Sequence, residues 1–113
     1  MTETLHDAPG LKAHIGQVVT VSGRYQRRHL GPHRVMVDLP DGRVQAVQEV
    51  ANLVLADATV LRLWVRPEAE MAAFDGVAVL VRGKLWAARP PVAHASALTH
   101  ALSLLDIESV AAA

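Results

Sequence analysis

Three features of the sequence predict a mostly β domain folded as a small barrel. Val and Leu alternate with polar residues in short runs bounded by Gly, Pro and Asp, the pattern of half-buried strands. The frame G-x-x-V-x-V-x-G occurs at 16–23 and again at 76–83, with a glycine inside an apolar row each time. A short helical pattern opened by proline lies directly ahead of the second copy.

Each element follows from its residues. Residues 1–10 (MTETLHDAPG) are polar and acidic and read as a flexible tail, and 111–113 form a bare alanine end. That leaves 11–110 as the folded part, enough in a chain of 113 residues for one core and too little for two. In the first strand Val19, Val21 and Tyr25 share a face, as do Val79, Val81 and Leu85 in the second copy of the frame. Gly23 and Gly83 fall within these rows, where a glycine marks a bulge or a bend as the strand passes from one sheet edge to another. Arg34–Leu39 alternates, Pro40-Asp41-Gly42 turns, and Arg43–Gln48 returns, which makes a hairpin. Glu49–Ala58 (EVANLVLADA) stays open between helix and loop. Thr59–Arg66 alternates again and stops at Pro67, after which two early acids favour a helix over Glu68–Phe74. Beyond Pro90-Pro91, Val92–Leu104 reads as a helix-like insertion and Leu104–Val110 as a closing strand. Five or six strands, one or two short helices, and glycine-bent first and fourth strands describe the OB-fold, a partly open Greek-key barrel, in preference to an SH3-like one.

The run VTVSGRYQRRHLGPHRVMVDLPDGRVQAVQ adds a resemblance. Its Gly23-Arg24, Arg27-Arg28, Leu30-Gly31, Asp38-Leu39-Pro40-Asp41, Gly42 and Gln45 are similar to the anticodon-binding OB domain of class II aminoacyl-tRNA synthetases, the aspartyl, asparaginyl and lysyl group. In that family a loop arginine and a hairpin glutamine touch an anticodon base on which an aromatic side chain stacks. The resemblance places these roles at Arg28, Gln45 and Met36, with methionine standing where the family has its aromatic. A chain of this length holds no synthetase catalytic domain, so the resemblance implies a stand-alone module.

Eleven basic residues balance eleven acidic ones, so any basic footprint must be local. The absence of cysteine excludes disulfides and thiolate metal sites. The polar N-terminus is unlike a secretory signal and no apolar run approaches the ~18 residues of a membrane span, so a cytoplasmic protein without a membrane partner is expected. The pairs His29/His33 and His94/His100 lack a ligand motif, and no nucleophile–base spacing or phosphate-binding glycine loop occurs. Neither a metal, a cofactor nor catalysis is expected.

Strand faces suggest instead where ligands bind. Leu61, Leu63 and Val65 point one way and Arg62, Trp64 and Arg66 the other, and Arg82, Lys84 and Trp86 repeat the arrangement. An indole between guanidiniums suits single-stranded nucleic acid, since the ring stacks a base for ~1–3 kcal/mol while arginine pairs with phosphate. The expected contacts are Arg24, Arg27, Arg28, Arg34, Gln45, Arg62, Trp64, Arg66 and Lys84, binding single-stranded DNA or RNA with little sequence readout. The alternative is an OB-type protein-interaction module or homodimer, with Trp64 and Trp86 buried in a core or against a partner.

Overall fold

The computed structural model describes residues 3–87 and 102–113. These residues form β1 (Thr4–Leu5), α1 (Ala8–Lys12), β2 (Val18–His29), β3 (Val35–Asp38), β4 (Val44–Val47), β5 (Glu49–Val54), β6 (Val60–Trp64), α2 (Glu68–Phe74), β7 (Ala78–Trp86) and β8 (Ser103–Ala112). The chain is thus mostly β. One sheet runs β1-β2-β5-β6-β8-β7, and β7 pairs with β2 as well, while β3 and β4 form a separate hairpin. The β1–β2 and β6–β8 pairs are parallel and the others antiparallel.

Strand β2 serves two neighbours because it is long and bends at a glycine. Its first half, Val18 to Arg24, pairs with β7, and its second half, Arg24 to His29, pairs with β5. At the hand-over a Cβ on Gly23 would lie 2.8 Å from the Val54 carbonyl oxygen, closer than any side chain tolerates. Gly83 makes the same approach, 2.8 Å from the Leu105 carbonyl oxygen, where the β7–β8 register shifts between Arg82 and Lys84. Both glycines of the repeated frame therefore mark the bend and the bulge expected of them.

The inner core gathers Val19, Val21 and Tyr25 of β2, Leu53 of β5, Leu61 and Leu63 of β6, and Val79, Val81 and Leu85 of β7. Each such burial contributes about 1.5–3 kcal/mol. Helix α2 begins after Pro67, carries Glu68 and Glu70 in its first turn, and packs Met71 and Phe74 on this core. Tyr25 ties it down: its hydroxyl donates to Glu70 Oε2 at 2.8 Å and its ring lies 6.2 Å from that of Phe74.

Four segments differ from the sequence reading. Glu49–Val54, within the stretch left open between helix and loop, is a strand covered on both faces; a continuous apolar run has no period to distinguish it from a buried helix. Strand β6 ends at Trp64 and not at Arg66, because Trp64 takes a left-handed backbone (φ 62°) that breaks the extension. The N-terminal tail holds β1 and α1, anchored by buried Leu5 and Leu11 and by Asp7 Oδ1, which accepts from the Gly10 amide at 2.8 Å. Ala111 and Ala112, expected to fray, sit in β8 opposite Leu80 and Val79. The helix-like insertion over Val92–Leu104 lies almost wholly outside the described residues. No helix among the described residues is long and apolar enough to cross a membrane.

Candidate functional site

The outer side of the sheet, away from Leu53, Leu61 and Leu85, carries an unusual row. Strand registers align Gln26 of β2, Asn52 of β5, Arg62 of β6, Ser103 of β8 and Trp86 of β7. Directly opposed residues share a face. At its centre the row is buried, with Asn52, Arg62 and Ser103 only 3, 8 and 0 % exposed. Arg62 Nη1 donates to Asn52 Oδ1 at 2.8 Å, and Trp64 Nε1 donates to Ser103 Oγ at 2.9 Å. Two donors, Arg62 Nε and Trp86 Nε1, are buried with no partner. Burial, then repulsion from Arg28, draws the Arg62 guanidinium below its ordinary pKa.

The β3–β4 hairpin lies across one part of this face. Val37, Leu39 and Val47 pack with Val50, Trp64 and Leu105 into a second apolar cluster on the opposite side of the sheet from the inner core. The hairpin's base is fastened by the Leu30 amide donating to the Gln48 carbonyl at 2.8 Å and by Gln48 Nε2 donating to the Pro32 carbonyl at 3.1 Å. A cleft of about 200 Å³ remains between the hairpin and β6–β8, lined by Arg43, Gln45, Trp64, Arg66 and Asp106 among others. Gln45 Oε1 is buried there without a donor. Trp64 and Asp106 both hold left-handed backbones, φ 62° and 50°, each a strain of order 1–3 kcal/mol.

Of the nine residues expected from the sequence, Arg28, Arg62, Trp64 and Lys84 reach the outer face. Lys84 stands 5.1 Å over the Trp86 ring. Trp64 is corrected in one respect: its ring is 2 % exposed beneath the hairpin and offers no open stacking surface. Three arginines are engaged elsewhere. Arg27 bridges Glu49 and Glu68, the latter at 2.6 Å; Arg66 donates twice to Glu70 at 2.8 Å; Arg24 Nη1 donates to the Gly76 carbonyl at 2.5 Å. Alternation places a side chain on a face, but these partners come from β5, α2 and the turn after it, which alternation does not see. Arg34 is exposed at the hairpin entrance. Gln45 faces the cleft, whereas Met36, paired with Ala46 on the outward side, is turned away from it and 65 % exposed.

Sequence reasoning passed over Gln26, Asn52 and Ser103. Asn52 had a signal, as the lone amide in the apolar run EVANLV. Gln26 also lines a groove of about 420 Å³ with Ser22, Arg24, Val54 and Ala78, so the row opens into a concave edge.

No family model, curated protein or solved structure matches this chain. The chemistry open to the face follows from its own side chains. The row contains two amides, a hydroxyl, a guanidinium and an indole, and no carboxylate or imidazole, so it can donate to anions and offer a ring edge but has no general base.

Proposed function

We propose that the chain is an OB-fold module that binds single-stranded DNA or RNA across the outer face of β5 and β6, without catalysis. The strand order supports the fold: setting aside β1 and the hairpin, β2, β5, β6, β7 and β8 pair as first–second–third–fifth–fourth and back to the first. The third and fifth are parallel, and α2 lies between the third and fourth. In OB-folds the face of the second and third strands and the adjoining loops takes the ligand. Here that face carries Asn52, Arg62 and Trp64, and the hairpin occupies the loop after the first strand.

The observation that carries the function is the cationic and aromatic make-up of this face: Arg28, Arg62 and the Lys84–Trp86 pair around a row free of carboxylates. Guanidinium donors pair with phosphate oxygens, and the half-buried Trp86 indole serves sequence-tolerant contact with a base. The synthetase resemblance points the same way through Arg28 and Gln45, while Met36 faces outward, so the proposed contacts are to phosphate and not to a base-reading set.

Titration of a labelled oligo-dT or oligo-U at several salt concentrations tests this reading. Three phosphate contacts give a slope of log K against log salt of about −2. Arg28→Ala combined with Lys84→Ala is expected to weaken binding at least about tenfold, one lost contact pair at ~1.4 kcal/mol, without lowering Tm. Absence of binding at low salt, or binding indifferent to salt, contradicts it. A protein-interaction module or homodimer is the second reading, favoured by the hairpin's outward apolar side, where Met36 is 65 % and Val44 61 % exposed. A strictly monomeric species in sedimentation, with no protein bound, leaves that reading without support.

A further inference from the structure

We infer that Arg62, flanked by Arg28, is a preformed seat for one phosphate group, and that in the complex this group is a phosphodiester of the bound strand. The second half rests on the nucleic-acid reading; the seat itself does not.

The case begins with what Arg62 lacks. Arg27, Arg43, Arg66 and Arg82 each pair with a carboxylate. Arg62 is more deeply buried than any of them, yet among the described residues its hydrogen bond goes to a neutral amide, Asn52 Oδ1, and its Nε has no acceptor. The charge acting on it is a like one, Arg28. A buried ion without a counter-ion is unfavourable, and a hydrocarbon of similar volume serves a fold better. The guanidinium serves Asn52 Oδ1 as a donor, but that bond leaves its charge uncompensated, so an anion from outside is its natural complement.

Chemistry then selects the anion. With Nη1 held by Asn52, the remaining Nε–Nη2 edge of the guanidinium carries parallel N–H groups of the geometry that suits two oxygens of one phosphate, and its buried Nε has no acceptor of its own. Arg28, exposed and in none of the ion pairs among the described residues, sits one strand beyond Asn52, opposite Val50, and supplies a second positive charge. Trp86 Nε1, the other orphan donor, lies two strands along the row in the opposite direction, placed for a neighbouring group of an extended ligand. Asn52 holds the guanidinium in place before the ligand arrives, which limits the ordering that binding requires.

The test follows the melting of the intact chain in sodium phosphate against sodium chloride and sodium acetate at matched ionic strength and pH, with Arg62→Met and Arg28→Gln beside the wild type. Phosphate is expected to raise the wild-type Tm saturably. At ten times its Kd it multiplies the folding equilibrium constant about 11-fold, read as roughly 5–8 °C in a domain of this size. Arg62→Met is expected to melt near the wild type in chloride, since removal of an unpaired buried charge offsets the lost hydrogen bond to Asn52 Oδ1, and to gain nothing from phosphate. Arg28→Gln keeps the wild-type Tm in chloride and loses most of the phosphate increment. A wild type that melts alike in all three salts overturns the seat, as does an increment that survives either substitution, or an Arg62→Met chain that melts far below the wild type in chloride. An oligonucleotide arm separates the two claims. Binding of oligo-dT or oligo-U with no response to phosphate overturns the seat and leaves the nucleic-acid reading standing. An Arg62-dependent phosphate response with no oligonucleotide binding upholds the seat for a different phosphate ligand and removes the nucleic-acid reading.

Discussion

Arginines that look equivalent along the chain separate into two kinds once their partners are known. Arg27 bridges Glu49 of β5 and Glu68 of α2, so Arg27→Ala is expected to lower Tm while leaving oligonucleotide affinity within about twofold; melting curves and the binding titration check both halves. The carboxylates of these clusters set an acid limit. The Arg27 hydrogen bond holds Glu49 below the usual carboxylate range. At Glu70 burial works against the charge, and hydrogen bonds from Arg66 and Tyr25 outweigh it, so its pKa is lowered as well. A folded pKa below the unfolded one gives stability that is complete above the ordinary carboxylate range, near pH 4.5, and is lost as pH falls through the folded values. Tm is therefore expected to fall as pH drops below about 4.5, and Glu70→Gln is expected to flatten that fall while lowering the plateau at neutral pH. At this scale the sequence was legible as to face and silent as to partner: Arg62 was assigned outward from the alternation of Leu61 and Leu63, but its hydrogen bond goes to Asn52 on the neighbouring strand, ten residues away in the chain.

Strands carry their own instructions where a steric requirement is local. Gly23 and Gly83 could be read as bend and bulge because glycine within an apolar row has few other uses, and each does meet a facing carbonyl at 2.8 Å. Gly23→Ala is expected to destabilise by roughly 1–3 kcal/mol, since the obstructing atom is backbone and cannot swing aside; chemical denaturation measures it. Helix α2 was legible for a similar reason, with Pro67 and two acids at its start. EVANLV was not, because a strand covered on both faces loses the period of two that identifies strands. Nor was the N-terminal pair β1–α1: Leu5 and Leu11 are isolated among polar residues, and only the neighbouring sheet makes them core.

For the molecule as a whole, zero net charge conceals an uneven distribution. Carboxylates cluster with Arg27 and Arg66 around α2, Glu108 of β8 pairs with Arg82 of β7, and the row from Gln26 to Trp86 is left without one. That separation is invisible to composition and follows from topology, since the strands that meet in the row are distant in sequence. It also locates the proposed ligand on one face, with the hairpin's outward side and the opposite end of the sheet excluded. The most direct measurement is a map of backbone amide shifts as oligo-dT is titrated into the isotopically labelled chain. The proposal predicts the largest changes at Gln26, Arg28, Asn52, Arg62 and Trp86, diminishing with added salt. Changes confined to Met36 and Val44, or scattered over both sides of the sheet, would contradict it.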